Sequence, residues 1–147
     1  MKLLKRAILF PVLFLSAIFV NGQVDSLILG CPLANGVPRI IRSSDKDYQR
    51  SSEYGVMLTS KTDTLVQAVY DASVVIVTRT EDAKYDVVLK YRGYYFWYAG
   101  VLSPAVKQGK KVNKGDILGT YKPGDLLELL MFDKEEPVNP RKFLKCN

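Results

Sequence analysis

The chain has 147 residues, 48% of them hydrophobic and 24% charged, which suits one globular domain behind a leader and excludes a disordered chain. It contains no histidine, so Ser-His and Cys-His nucleophile pairs are excluded, as are zinc sites built on imidazole. The formal charge is +6, but removing Lys2, Lys5 and Arg6 with the leader leaves 18 basic against 15 acidic residues, and no basic stripe marks a nucleic-acid partner.

Residues 1–22 read as a secretory signal. Lys2, Lys5 and Arg6 form a basic start, residues 7–20 are apolar but for Ser16, and Asn21-Gly22 offers a small residue for cleavage before Gln23. The alternative is a membrane anchor, for which the run is short. Once the leader is cleaved, nothing else is expected to hold the chain to a membrane. The sequence Ile28-Leu29-Gly30-Cys31 superficially resembles a lipoprotein box, but Asp25 and Ser26 separate it from the apolar run. Cys31 and Cys146 are the only two cysteines, and in an exported chain they predict a disulfide joining the two ends of the domain.

Residues 23–52 read as a leading segment, of which 32–52 is polar and turn-rich with one apolar spot at Ile40-Ile41 and is expected to form loop and an edge strand, and residues 53–147 read as the folded domain. From Tyr54 the pattern is β. Strands are expected at 54–58, 64–70, 73–78, 85–91, 94–99, 117–121 and 126–132. The run 73–78 is β-branched nearly throughout, which suits a strand covered on both faces. Residues 81–84 form a charged hairpin loop. Leu126 to Leu130 favours a helix on propensity alone, but its shortness and the preceding Pro123-Gly124 favour a strand. In the aromatic strand, alternation puts Tyr95 and Trp97 on one face and Tyr94, Phe96 and Tyr98 on the other. One set belongs to the core. Tyr95, Trp97 and Tyr98 are the candidate binding aromatics, with packing on both faces as the plainer reading.

The chain is organised around residues 106–120, VKQGKKVNKGDILGT. Gly109 and Gly115 stand six apart with Val112 midway, each placed for a turn with positive φ, and Asp116 to Gly119 leads into a new strand. This predicts a loop carrying the chain from one β-layer to the next. The pattern G-x-x-V-x-x-G-D-x-L-G resembles that of the lysostaphin/LytM-type zinc endopeptidases that cut bacterial peptidoglycan. It resembles biotinyl and lipoyl carrier domains more weakly, since Lys61 and Lys84 lie near turns but outside a Met-Lys-Met or Asp-Lys-Ala context. The lysostaphin-like resemblance runs from about Gly55 to Leu144. Residues 54–58 resemble the H-x-G-x-D strand, Tyr98-Ala99-Gly100-Val101 resembles Y-x-H-L, Leu126-Leu127-Glu128 resembles H-x-H, and Pro137-Val138-Asn139-Pro140 resembles the closing P-v-[DN]-P.

The resemblance implies an all-β fold, an antiparallel sandwich of the hybrid-motif type. It also implies where zinc chemistry would sit. The ligand His, Asp and second His of H-x-H fall on Glu53, Met57 and Glu128. The water-activating His falls on Leu126, and the transition-state His on Gly100. All five are changed. Two carboxylates beside a soft thioether make a poor metal site, and nothing places Glu53 and Glu128 around a sugar as an acid and base. The reading is therefore a pseudo-enzyme with no cofactor: an exported, non-catalytic module of the periplasm or cell envelope. Degenerate members of this family bind and activate cell-wall amidases, so an envelope protein is the first expected partner. The alternatives are peptidoglycan or its stem peptide held in the vestigial groove, and a metalloendopeptidase with atypical ligands.

Overall fold

A computed structural model of the chain describes residues 27–39 and 55–146. The leader 1–22, Ile40-Ile41 and Glu53 lie outside the described residues. The strands are β1 (Leu29–Gly30), β2 (Val37–Pro38), β3 (Gly55–Thr59), β4 (Leu65–Gln67), β5 (Ala72–Arg79), β6 (Tyr85–Tyr91) and β7 (Tyr94–Val101). They continue with β8 (Ser103–Pro104), β9 (Lys111–Val112), β10 (Ile117–Thr120), β11 (Leu127–Asp133), β12 (Glu136–Val138) and β13 (Leu144–Lys145). One 3₁₀ turn, Pro140–Lys142, is capped by the Asn139 side chain, which accepts from the Arg141 amide.

The large sheet has the order β2-β3-β11-β7-β6-β5-β9, with β12 also paired to β11, and its neighbours are antiparallel. A smaller sheet, β4-β10-β8, packs over it, and β1 pairs β13 in parallel. Residues 54–58 and 126–132 thus form strands where expected, each shifted by one residue. The period of two governs the packing. Leu127, Leu129 and Met131 of β11 are buried on the inner face, with Val56 and Leu58 of β3, Val87 and Leu89 of β6, and Phe96 and Tyr98 of β7. Val66, Leu118 and Tyr121 close the core from the other side. Each such side chain contributes about 1.5–3 kcal/mol when fully buried.

The loop around Gly109 and Gly115 does what its sequence predicts. Both glycines have positive φ, 94° and 90°. Between them β9 joins the edge of the large sheet, and after them β10 enters the small one. Two expectations need correction. The run 73–78 is not covered on both faces: Val74 is buried, whereas Ile76 is 43% exposed. Past Ser73, β5 has no described strand on its far side, so its β-branched residues serve strand geometry rather than double burial. Tyr98 is not a binding aromatic. It is wholly buried, and its hydroxyl oxygen accepts the Val69 amide at 2.8 Å. Burial pushes its phenol pKa up.

The leading segment contributes to the core. Leu29 and Leu33 are fully buried, because β1 is held by β13 and by the Gly30 amide bonded to Val69. Cys31 and Cys146 form the disulfide, with Cα atoms 4.8 Å apart.

Candidate functional site

The outer face of the large sheet carries a cleft of about 500 Å³, lined by Met57, Gly100, Leu126 and Glu128 together with Ala99, Asp86 and the hairpin residues Thr80 to Lys84. Cross-strand register builds its floor. Met57 of β3 sits opposite Glu128 of β11, Glu128 opposite Ala99 of β7, and Ala99 opposite Asp86 of β6. Directly paired residues share a face, so these four form one row. Leu126 and Glu128 flank the buried Leu127, which places both on the cleft side. Four of the five positions singled out by sequence therefore meet in one place.

Gly100 is a bulge. Tyr85 pairs Val101 and Asp86 pairs Ala99, so Gly100 is the extra residue on β7. Its φ is +104°, and an added Cβ would lie 2.8 Å from the Leu126 carbonyl oxygen. Backbone thus occupies the space a side chain at this position would need. The loop before Leu126 is anchored by Tyr121, a buried residue whose hydroxyl accepts the Ser60 amide at 3.0 Å and donates to the Asp125 carbonyl.

The charged wall comes from the β5–β6 hairpin, whose turn holds Ala83 at φ +62°. The Thr80 hydroxyl donates to the Asp82 carboxylate, and this bond holds the Asp82 pKa below the usual range. The Thr80 proton is thereby engaged within the hairpin. Burial raises the Asp86 carboxyl, against a hydrogen bond from the Trp97 indole that lowers it. Lys84 forms an ion pair of 3.2 Å with Asp125, tying the hairpin to the loop before β11. At this exposure the pair contributes about 0–1 kcal/mol.

The zinc site implied by the family resemblance does not fit these residues. Met57 offers a thioether, Leu126 a hydrocarbon, Gly100 no side chain, and Glu128 a single carboxylate. Among the described residues no three His, Cys, Asp or Glu side chains gather to hold a metal. The cleft instead mixes apolar Met57, Ala99 and Leu126 with the carboxylates of Glu81, Asp82, Asp86 and Glu128 and the ammonium of Lys84. Of the candidate aromatics, Trp97 and Tyr95 are half-buried on the outer face, one and two rows from the cleft. Trp97 packs near Phe132 at 6.5 Å, and Tyr95 lies under the Lys90 ammonium. Sequence reading recognised the charged hairpin but missed its place in the wall. The signal was the strand register, which depends on the bulge at Gly100.

Comparison with known proteins agrees with this geometry. The profile of peptidase family M23 matches residues 51–140, more than half of the chain. Helicobacter pylori Csd3 is similar, with a TM-score of 0.67 at 21% identity over 83% of this chain and 34% of that one, so the chain spans about a third of its length. A chain of the SpoIIQ–SpoIIIAH pore-forming complex gives 0.64 at 17% identity over 82% and 92%. A zinc-containing peptidase from Vibrio cholerae gives 0.54 at 16% identity over 71% and 34%. At these identities the likeness is one of fold. No curated protein matches the chain. On the match over residues 51–140 and the fold it describes, the chain belongs to peptidase family M23.

Proposed function

We propose that the chain is an exported, non-catalytic member of its family that docks an envelope protein in the cleft between Met57 and Leu126, with a cell-wall amidase as the leading candidate. The observation that carries this reading is the convergence of Met57, Gly100, Leu126 and Glu128 on one cleft with a donor set unsuited to zinc. A concave cleft with mixed apolar and charged lining is suited to receiving a partner. The disulfide supports export to an oxidising compartment. The family fold is compatible with such a role, since one similar structure is a pore-forming complex and another a zinc-containing peptidase. The half-buried Trp97 near the cleft favours a second reading, in which a peptidoglycan stem peptide occupies it.

The test is affinity capture from envelope extract and co-sedimentation with purified sacculi, each with the wild-type protein and Leu126→Arg. The variant puts a charge on the cleft floor and is checked for folding by circular dichroism. Docking predicts a protein partner retained at least about tenfold less by the variant, since truncated anchors cost roughly 2 kcal/mol. Loss of sacculus binding alone favours the second reading. Unchanged capture by a folded variant contradicts both.

A further inference from the structure

At the other end of the same outer face lies a shallow depression of about 330 Å³, lined by Lys90, Arg92 and Lys111 with Asp71, Ser73, Tyr91 and others. Register assembles it. Lys90 of β6 pairs Ser73 of β5, and Ser73 pairs Lys111 of β9, so cations from two separate segments share one row. Lys110 and Lys114 lie in the loop on either side of β9; the Lys114 amide donates to Asp71, and its side chain runs against Gly30. Among the described residues none of these five cations is in an ion pair. Two are held against aromatic rings: Lys90 lies 5.5 Å from the centre of Tyr95, and Arg92 lies 5.3 Å from that of Tyr91. The β11–β12 hairpin brings Asp133 against Gly93 and also carries Glu135 and Glu136, so the positive surface is limited to the flank formed by β5, β6 and β9.

We propose that this basic flank is a peripheral contact for an anionic phospholipid surface. A lone phosphate needs two or three donors, whereas this array spreads over two turns and an edge strand, which matches many phosphates in a plane. Tyr95, half-buried beside Lys90 on the outer face, has the amphipathic ring favoured at the headgroup level. The proposal is independent of what the cleft binds. The depression and the cleft lie four residues apart along β7, about 13 Å at strand rise, so the two are separate regions of one face.

The test uses the folded, disulfide-bonded protein without its leader. Its co-sedimentation is measured with vesicles of equal parts phosphatidylglycerol and phosphatidylcholine, and with vesicles of phosphatidylcholine alone. Binding is expected only to the anionic vesicles and is expected to fall as salt rises. The triple variant Lys90→Gln, Arg92→Gln, Lys111→Gln is expected to bind on the order of 100-fold more weakly, each cation near such a surface being worth about fivefold. The control triple Lys61→Gln, Lys122→Gln, Lys142→Gln has the same net charge and is expected to bind within about threefold of wild type, these positions lying away from the flank. Both triples are exposed and are checked by thermal melting. Equal loss in the two triples, binding to neutral vesicles, or full competition by inorganic phosphate or polyphosphate at constant ionic strength would overturn the proposal.

Discussion

Gly100 holds the position where the family resemblance places a histidine, and its backbone excludes any side chain there. With φ at +104° and the Leu126 carbonyl 2.8 Å from a would-be Cβ, Gly100→Ala is expected to destabilise the fold by about 1–3 kcal/mol, measured by urea unfolding. Gly100→His is expected to cost at least as much, so restoring the family residue alone would damage the cleft. Asp86 gives a pH-dependent test. Its carboxyl is raised by burial, so the folded state favours the protonated form and loses stability as pH climbs through the carboxylate range. Asp86→Asn is therefore expected to raise the melting temperature at neutral pH, with the gain shrinking as pH falls through that range. A gain that is constant with pH would rule out the ionisation as its cause. The identities of these residues were legible in the sequence. Their consequences were not, because the strain at Gly100 and the burial of Asp86 both arise from a register shift between β6 and β7 that no local pattern announces.

At the scale of elements, the sequence was most legible where one periodicity acts alone. Alternation in the aromatic strand set Phe96 and Tyr98 apart from Tyr95 and Trp97, and Phe96 and Tyr98 are the fully buried pair. It was least legible where long-range pairing decides. The sequence assigns residues 29–33 no strand and no place in the core, yet Leu29 and Leu33 are buried because β13 and the disulfide bring the far end of the chain to them. Tyr98 could be placed on a face by alternation, but only the fold supplies Val69 as the partner that makes its burial tolerable. The β1–β13 pair is only two residues long on each side, so the covalent link must do much of the fastening. The double variant Cys31→Ser, Cys146→Ser is expected to lose about 4 kcal/mol, since the bridge closes a sequence separation of 115 residues. Guanidinium unfolding of the oxidised, reduced and doubly substituted proteins measures it. A loss below about 1 kcal/mol would show that the two ends are held mainly by β1–β13 pairing.

Over the whole molecule, the outer face of the large sheet is graded. An acidic cleft at Met57 and Glu128 gives way to an apolar row of Leu130, Trp97, Val88 and Ile76, and then to the basic row of Lys90 and Lys111. The inner face is uniform core, and both candidate binding regions lie on the outer one. The central claim is that the cleft docks a partner and cleaves nothing. Its most direct test is the release of muropeptides from purified sacculi by the mature protein supplied with zinc. The account predicts release no greater than with buffer, because the cleft residues lack a zinc-binding set. Release that is abolished by Glu128→Gln in a folded variant would contradict it.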